Sequence, residues 1–386
     1  MRLVKTSVVR ALLMGDRLGQ PIHASNQLTV STFIDEPMGI SIAGKLTIDA
    51  LKRAGFPVQS HGLRPVFSRG GWGRGQLPNA GGGVWLLHGN APEALTTLMK
   101  VRPGYWRHKF RIGYWAYELT PAPKLWRRIA GLFHEVWVPS RFVADSLAGI
   151  RPPVRVMCHP VSGFAGVVPQ RGRFGIDADF AVLCASDLRS SMARKNIIGA
   201  IETYRRAFPE TSAAAQLIVK LHRTDQYPKA LAKVLEVAGG RSDIRIVSQQ
   251  LDPEDMRRLI VSCDLVLSPH RSEGFGLLLA EAFMAGRLAL ATSWSGNMDF
   301  MHGLDPLLIS ARQTAVLDPY GVYQASSNAT WAEPDLIEAS TKLATIAKET
   351  PQWRAQLSAA GRRNLEVLYE NWSESELRGQ PFARYI

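Results

Sequence analysis

The chain has 386 residues, 46% of them hydrophobic and 20% charged, which is ordinary for a soluble globular protein with room for two domains. No apolar run is long enough to cross a bilayer, and the short apolar stretch after Arg2, Lys5 and Arg10 is cut off by Asp16 and Arg17, so neither a membrane span nor a signal peptide is expected. The formal net charge of +13 calls for an anionic partner such as a diphosphate, a lipid head group or nucleic acid. Cys158, Cys184 and Cys263 lie far apart, with no CxxC or Cys/His spacing. They read as reduced core residues of a cytoplasmic protein, in which the sequons at Asn328 and Asn371 carry no meaning.

In chain order, residues 1–26 show no pattern. Residues 28–35 read as a buried strand, followed by a loop containing Gly39 and Gly44 and a helix with Ile48, Leu51 and Ala54 at helical spacing. Strand, glycine-containing loop and helix open a nucleotide-type βα unit, although Gly39 and Gly44 match neither GxGxxG nor a P-loop. Residues 61–82, rich in Gly and Arg, read as a loop. Residues 84–90 form a strand ending at His88, 91–100 a helix, and 111–119 a strand and loop ending at Tyr117 and Glu118. A helix, a short strand at 135–140 and a helix capped by Ser140 follow, then a strand at 154–161 and a linker at 161–176. Basic and aromatic residues alternate at Arg102–Arg111 and Lys124–Arg128. They read as a solvated surface or as a docking patch for an anionic membrane, where each basic residue adds about 1 kcal/mol. Trp72, Trp85, Trp106, Trp115, Trp126 and Trp137 read as packing residues, with an acceptor platform as a second reading.

The second half opens with a buried strand at 180–188. Arg189 and Lys195 frame the following loop, where fixed cations and helix N–H groups can neutralise a diphosphate, and Arg194 is a substitute for either. Strands at 215–221 and 244–250 follow, with a helix between them. The stretch 261–301 is a strand, a loop holding Glu273, Gly274, Phe275 and Gly276, a helix carrying Glu281, and a second strand. Continuous apolar strands joined by helices form parallel sheets, whose ligands bind at the carboxyl ends of the strands. The glycines admit close backbone approach, and a carboxylate accepts from a vicinal diol. Asn297 and Asp299 edge the same crevice. Residues 335–371 are helical, broken at Pro351.

Glu273 and Glu281, spaced by seven residues within SPxxSEGFGxxxxEAxxAG, closely resemble the motif of retaining glycosyltransferases of family four, of the bacterial polysaccharide or lipopolysaccharide type. The VWVPS strand before a helix and the separation of Arg189 from Lys195 resemble that family too. The resemblance implies an α/β GT-B fold, with two Rossmann-like doubly wound domains facing a central cleft. Residues 1–165 would form the acceptor side and 166–371 the nucleotide-sugar side, with 372–386 crossing back.

It also implies transfer of a hexose from a nucleoside-diphosphate sugar to a hydroxyl of a glycan or lipid-linked acceptor, with the sugar nucleotide as substrate and no other cofactor. Arg189, Lys195 and the Gly274–Gly276 amides would hold the diphosphate, Glu281 the ribose, and Glu273 the hexose, while Gly39 and Gly44 lie in the loop over the donor. The family carries a histidine near Glu118. This sequence has Tyr117 or Glu118 there instead, which leaves the family's base without a direct match, and Glu118 is read as the crevice-facing acid/base or acceptor-orienting group. Asp177 and Asp179 form a literal Asp-x-Asp, but they precede a strand rather than follow one, so no metal is expected. The protein would be cytoplasmic, in peripheral contact with the inner face of the membrane, and without a specific nucleic-acid partner. A sugar-nucleotide epimerase of the same fold and a non-catalytic glycan- or nucleic-acid-binding protein are the alternatives.

Overall fold

Short apolar runs joined by helices bury both faces of a strand only in a parallel sheet, and this chain builds two six-stranded parallel sheets. A computed structural model describes residues 21–34, 39–68, 71–323 and 328–386. The chain divides into unit 1, residues 1–160 with 368–386, and unit 2, residues 161–367.

Unit 1 contains β1 (Leu28–Thr32), α1 (Gly39–Arg53), β2 (Val58–Gly62), α2 (Arg64–Ser68), β3 (Val84–His88), α3 (Ala91–Lys100), β4 (Phe110–Tyr114), α4 (Lys124–Ala130), β5 (Glu135–Val138), α5 (Arg141–Ser146) and β6 (Val154–Val156). The strand order is β2-β1-β3-β4-β5-β6. The order reverses after β2 and then runs one way to β6, so right-handed crossovers stack α2 to α5 on one face. Leu63, Val66, Trp85, Leu98, Trp126 and Ile129 form one cluster beneath them. The other segment of unit 1 packs as well: Trp372 lies 5.8 Å from Trp137, and Phe382 lies 5.6 Å from both Trp137 and Phe56. Trp372 Nε1 also donates to the Cys158 carbonyl at 2.7 Å.

Several expectations for this half are corrected. The stretch 61–82 is not all loop, because α2 begins at Arg64 and β2 pairs with β1 through Gly62. β2 carries the polar sequence VQSHG on a sheet edge, so it lacks the apolar signal by which a strand is read. The basic run Arg102–Arg111 is not a surface patch throughout. Lys109 and Arg111 are buried, with 0% and 1% of their surface exposed. Lys109 Nζ donates to the Gly82 carbonyl at 2.5 Å, and Arg111 donates to the Leu132 and Trp106 carbonyls at 2.8 and 3.2 Å with its guanidinium over the Trp106 ring. Burial pushes Lys109 down to about 8. Of the six tryptophans, all but Trp72 are buried, which excludes an acceptor platform for those five. The expected loop at Glu36–Met38 and the end of the first strand at Asp35 lie outside the described residues, as does most of 1–26.

Unit 2 contains β7 (Phe180–Asp187), α6 (Met192–Lys195), α7 (Ile197–Ala207), β8 (Ala215–His222), α8 (Pro228–Ala238), β9 (Ile244–Val247), α9 (Pro253–Ser262), β10 (Leu265–Ser268), α10 (Leu277–Met284), β11 (Leu288–Thr292), α11 (Met298–Met301) and β12 (Leu308–Ile309). A hairpin of β13 (Ala311–Ala315) and β14 (Thr330–Pro334) and the helix α12 (Leu336–Lys348) complete it, with most of α13 (Pro351–Tyr369). The strand order is β12-β11-β10-β7-β8-β9. The chain therefore steps from β7 outward to β9 and returns to β10 on the other side of β7. The junction of β7 and β10 is the point where the winding reverses, and in such sheets the ligand crevice opens at its carboxyl end.

Candidate active site

Two loops leave that junction, residues 188–196 after β7 and 269–276 after β10. They are laced together. Asn196 Nδ2 donates to the Pro269 carbonyl at 2.8 Å, Arg271 N to the Arg194 carbonyl at 2.7 Å, and Arg194 Nη1 to the Ser272 carbonyl at 2.7 Å. This lacing brings two of the expected residues into contact. Glu273, 8% exposed, takes Lys195 Nζ at 2.5 Å and lies 3.2 Å from Arg194 Nη1. Burial alone would raise the Glu273 carboxyl, but the charges of Lys195 and then Arg194 outweigh it and hold the group at about 2. Glu273 is thus a permanent acceptor, and two cations on one carboxylate leave a surplus positive charge at the crevice. Arg194, offered by the sequence as a substitute for either cation, is committed to the same carboxylate. Its guanidinium is buried and spans Ser272 and Glu273, where it neutralises a carboxylate that could not otherwise be desolvated. Arg189 stands at the other end of its loop, with its amide on Asp187 Oδ1 at 2.9 Å and its guanidinium 3.3 Å from Oδ2.

A second layer fixes the shape of these loops. Ser295, in the left-handed region at φ 80°, accepts from Glu273 N at 2.8 Å, and Gly296 N donates to the Glu273 carbonyl at 2.9 Å. A Cβ on Gly296 would lie 2.2 Å from the Gly274 carbonyl oxygen, so only glycine permits this approach. His270 is fully buried, with Nε2 3.1 Å from Asn297 Oδ1 and Nδ1 3.0 Å from the Ser268 carbonyl. Burial lowers its pKa. Asn297 does not edge the crevice as expected. It is fully buried and donates to the Thr292 carbonyl at 2.9 Å. Arg271 clasps Glu333 on the hairpin through two bonds of 2.6 and 2.8 Å and lies over Trp331. Phe275 turns its side chain into the core against Phe300, 5.1 Å away, so its ring is packing and not a ligand platform. Gly276, at φ 94°, opens α10.

A family model described as family 4 glycosyltransferase in conflict systems matches residues 145–363, more than half of the chain. The chain belongs to this family. It is a glycosyltransferase of GT-B fold. Among solved structures it is similar to HepE of Anabaena in complex with UDP and glucose, at 14% identity and a TM-score of 0.57, over 92% of this chain and 96% of that one. It is also similar to an α,α-trehalose-phosphate synthase (UDP-forming) from Burkholderia vietnamiensis, at 11% identity and a TM-score of 0.62, over 92% and 98%. A TarM variant of S. aureus in complex with fondaparinux, α-GlcNAc-glycerol and UDP matches at 13% identity and a TM-score of 0.51, over 78% and 54%. No curated protein matched in sequence.

The remaining expected residues of this glycosyltransferase are placed as follows. Glu281 lies on α10, half-buried. Burial raises its carboxyl to about 7 against the pull of Arg257, so near neutrality it is poised between its two states. Gly39 and Gly44 are not in a loop, because α1 starts at Gly39. A Cβ on Gly44 would meet Thr32 Oγ1 at 2.4 Å, so Gly44 lets α1 lie against the end of β1. Glu118 is half-buried past the carboxyl end of β4 in unit 1. Tyr117 packs on Trp126 at 4.6 Å, and burial together with the Glu118 charge pushes its phenol up to about 12. The reading from sequence missed His270, Ser295 and Gly296 as scaffold. The close succession of Ser293, Ser295, Gly296 and Asn297 after a buried strand was the available signal for a loop at a ligand edge.

Proposed function

We propose that the protein moves a hexose from a nucleoside-diphosphate sugar to a hydroxyl of a glycan or lipid-linked acceptor, with retention at the anomeric carbon and without a metal ion. The observation that carries this reading is the Lys195–Glu273–Arg194 cluster at the point where the sheet winding reverses. It pairs surplus positive charge for a diphosphate with a carboxylate that stays ionised. In this reading Glu273 accepts from hexose hydroxyls and cannot act as a general acid. Arg189, Lys195 and the loop Gly274–Gly276 receive the charge that grows on the leaving diphosphate, and Glu281 accepts from the ribose diol. UDP in the solved complexes of HepE and TarM supports a uridine donor.

Asp177 and Asp179 precede β7, at the amino ends of the parallel strands whereas Glu273 follows the carboxyl end of β10, and so they do not offer the charge a diphosphate-bound metal would need. Glu118 is the acid/base or acceptor-orienting group on unit 1. Exposed Lys124, Arg127 and Arg128 on α4 support peripheral contact with an anionic membrane. Among the described residues no helix is long and apolar enough to cross one.

Thermal denaturation against a panel of sugar nucleotides tests the donor site. A ligand at about a hundred times its Kd stabilises by about 2.7 kcal/mol, and this gain should vanish in Glu281→Ala. A correctly folded protein that no nucleotide stabilises would end this reading. Retention is read from the anomeric configuration of the product by NMR, and the metal from activity in the presence of chelator.

A further inference from the structure

Among the described residues three other than glycine adopt a left-handed backbone, Asn196 at φ 52°, Arg223 at φ 64° and Ser295 at φ 80°. All three lie in unit 2, past the carboxyl ends of its strands. Such conformations persist where the surroundings over-determine them, and they gather at functional sites. Two of the three are accounted for by the loops already described. Asn196 tolerates the conformation and ties its loop to Pro269, and Ser295 accepts from Glu273 N.

Arg223 is different. A long side chain gains nothing locally from a left-handed backbone, and a turn alone favours glycine. Its guanidinium reaches from the end of β8 to the end of the neighbouring β7, with Nε 3.4 Å from Asp187 Oδ2. The same oxygen lies 3.3 Å from Arg189 Nη2. Asp187 therefore gathers two guanidinium groups as Glu273 gathers Arg194 and Lys195, again with one positive charge in surplus. Both clusters hang on the single segment 187–196. Burial, then the charge of Lys220, lower the pKa of His222 beside Arg223, and Lys220 Nζ is turned inward to the Leu221 carbonyl at 2.9 Å.

We propose that Arg223 is a further anion-binding residue of the donor site, which with Arg189 takes the diphosphate oxygens while Asp187 holds the two guanidinium groups in register. This rests on the nucleotide-sugar reading above. The strained backbone is then the means of aiming a guanidinium from the end of β8 towards the loop after β7.

The test uses the full chain as wild type, Arg223→Gly, Arg223→Asn and Arg223→Lys, titrated calorimetrically with UDP, GDP, dTDP and ADP, with melting temperatures in parallel. Glycine and asparagine both accept the left-handed backbone, so these two variants should melt no lower than wild type. They should bind the preferred diphosphate roughly tenfold or more weakly, the scale of a lost charge-assisted hydrogen bond, and lysine should recover part of the loss. Wild-type affinity in the glycine variant would overturn the proposal and leave Arg223 as a turn residue. So would weakened binding that comes with a lowered melting temperature in both the glycine and asparagine variants. A wild type that binds none of the four would remove the nucleotide-sugar reading and this inference together. Binding by wild type that all three variants retain removes this inference alone.

Discussion

Unit 1 holds 23 Lys and Arg against 11 Asp and Glu, a net of +12, whereas unit 2 holds 23 against 22, a net of +1. Both build a six-stranded parallel sheet with the same reversal after the first outward strands. Yet the unit with the balanced charge is the one that assembles cations at the mouth of its sheet. In unit 1, Lys109 and Arg111 are buried on backbone carbonyls, where the charge is absorbed by peptide dipoles and serves packing. In unit 2, buried Arg194 and half-buried Lys195 share one carboxylate, which keeps a controlled surplus at the crevice. Net charge thus reports the surface a unit shows to large partners, while a small anion is recognised by how few carboxylates its cations share.

This contrast can be broken most forcefully at Glu273. Glu273→Gln leaves the buried Arg194 without its counter-charge, and the unfolding free energy should fall by about 3–5 kcal/mol, measured by urea denaturation. A loss within experimental error would mean that the cluster is hydrated and the charge argument is wrong. The next largest effect compares two glycines. Gly44→Ala and Gly296→Ala each force a Cβ into occupied space, and each should destabilise by about 1–3 kcal/mol. Only Gly296→Ala should also weaken nucleotide binding, because it displaces the Gly274 carbonyl. Equal loss of binding in both variants would erase the assigned division of labour.

A pH profile sharpens the comparison further. Glu281 sits at about 7 when folded against an ordinary 4.5, so the folded protein keeps a proton there that the unfolded chain releases. The stability it contributes is therefore present at acid pH and declines as pH rises from about 4.5 to about 7, and Glu281→Gln should flatten that decline. If the ionised form accepts the ribose hydroxyls, donor affinity rises through about pH 7 in wild type and stays level in Glu281→Gln. A wild-type affinity indifferent to pH would remove Glu281 from the ribose. The smallest effect belongs to unit 1. Glu374→Gln disrupts a 2.7 Å pair with Arg378 in which both side chains are more than half exposed, and should cost less than about 1 kcal/mol.

The parallel strands and the two loops at the site were legible because buried parallel strands read as uninterrupted apolar runs and because the glutamate pair stands in a dense motif. What escaped has physical causes. β2 and β13 are largely polar, with ARQTA mostly exposed to solvent, so these two strands rest on backbone pairing that leaves no hydrophobic period. Gly39 and Gly44 looked like a loop because glycine is a poor helix former, while the close approach of α1 to Thr32 outweighs that preference. Arg194 and Lys195 are adjacent and chemically alike in sequence. Only the fold decides that one is interred beneath Glu273 and the other reaches it from the rim. Arg223 gave no signal, since a left-handed backbone at arginine has no counterpart in composition or spacing.

The packing of 368–386 on unit 1 bears on how the protein matures in the cell. Trp372 and Phe382 cover Trp137, and Ser25 N donates to the Tyr385 carbonyl at 3.0 Å. Translation delivers all of unit 2 between the two parts of unit 1. The half made first must therefore wait on the ribosome with Trp137 and Phe56 not yet covered by these rings, and it closes only after its successor has already had the chance to fold.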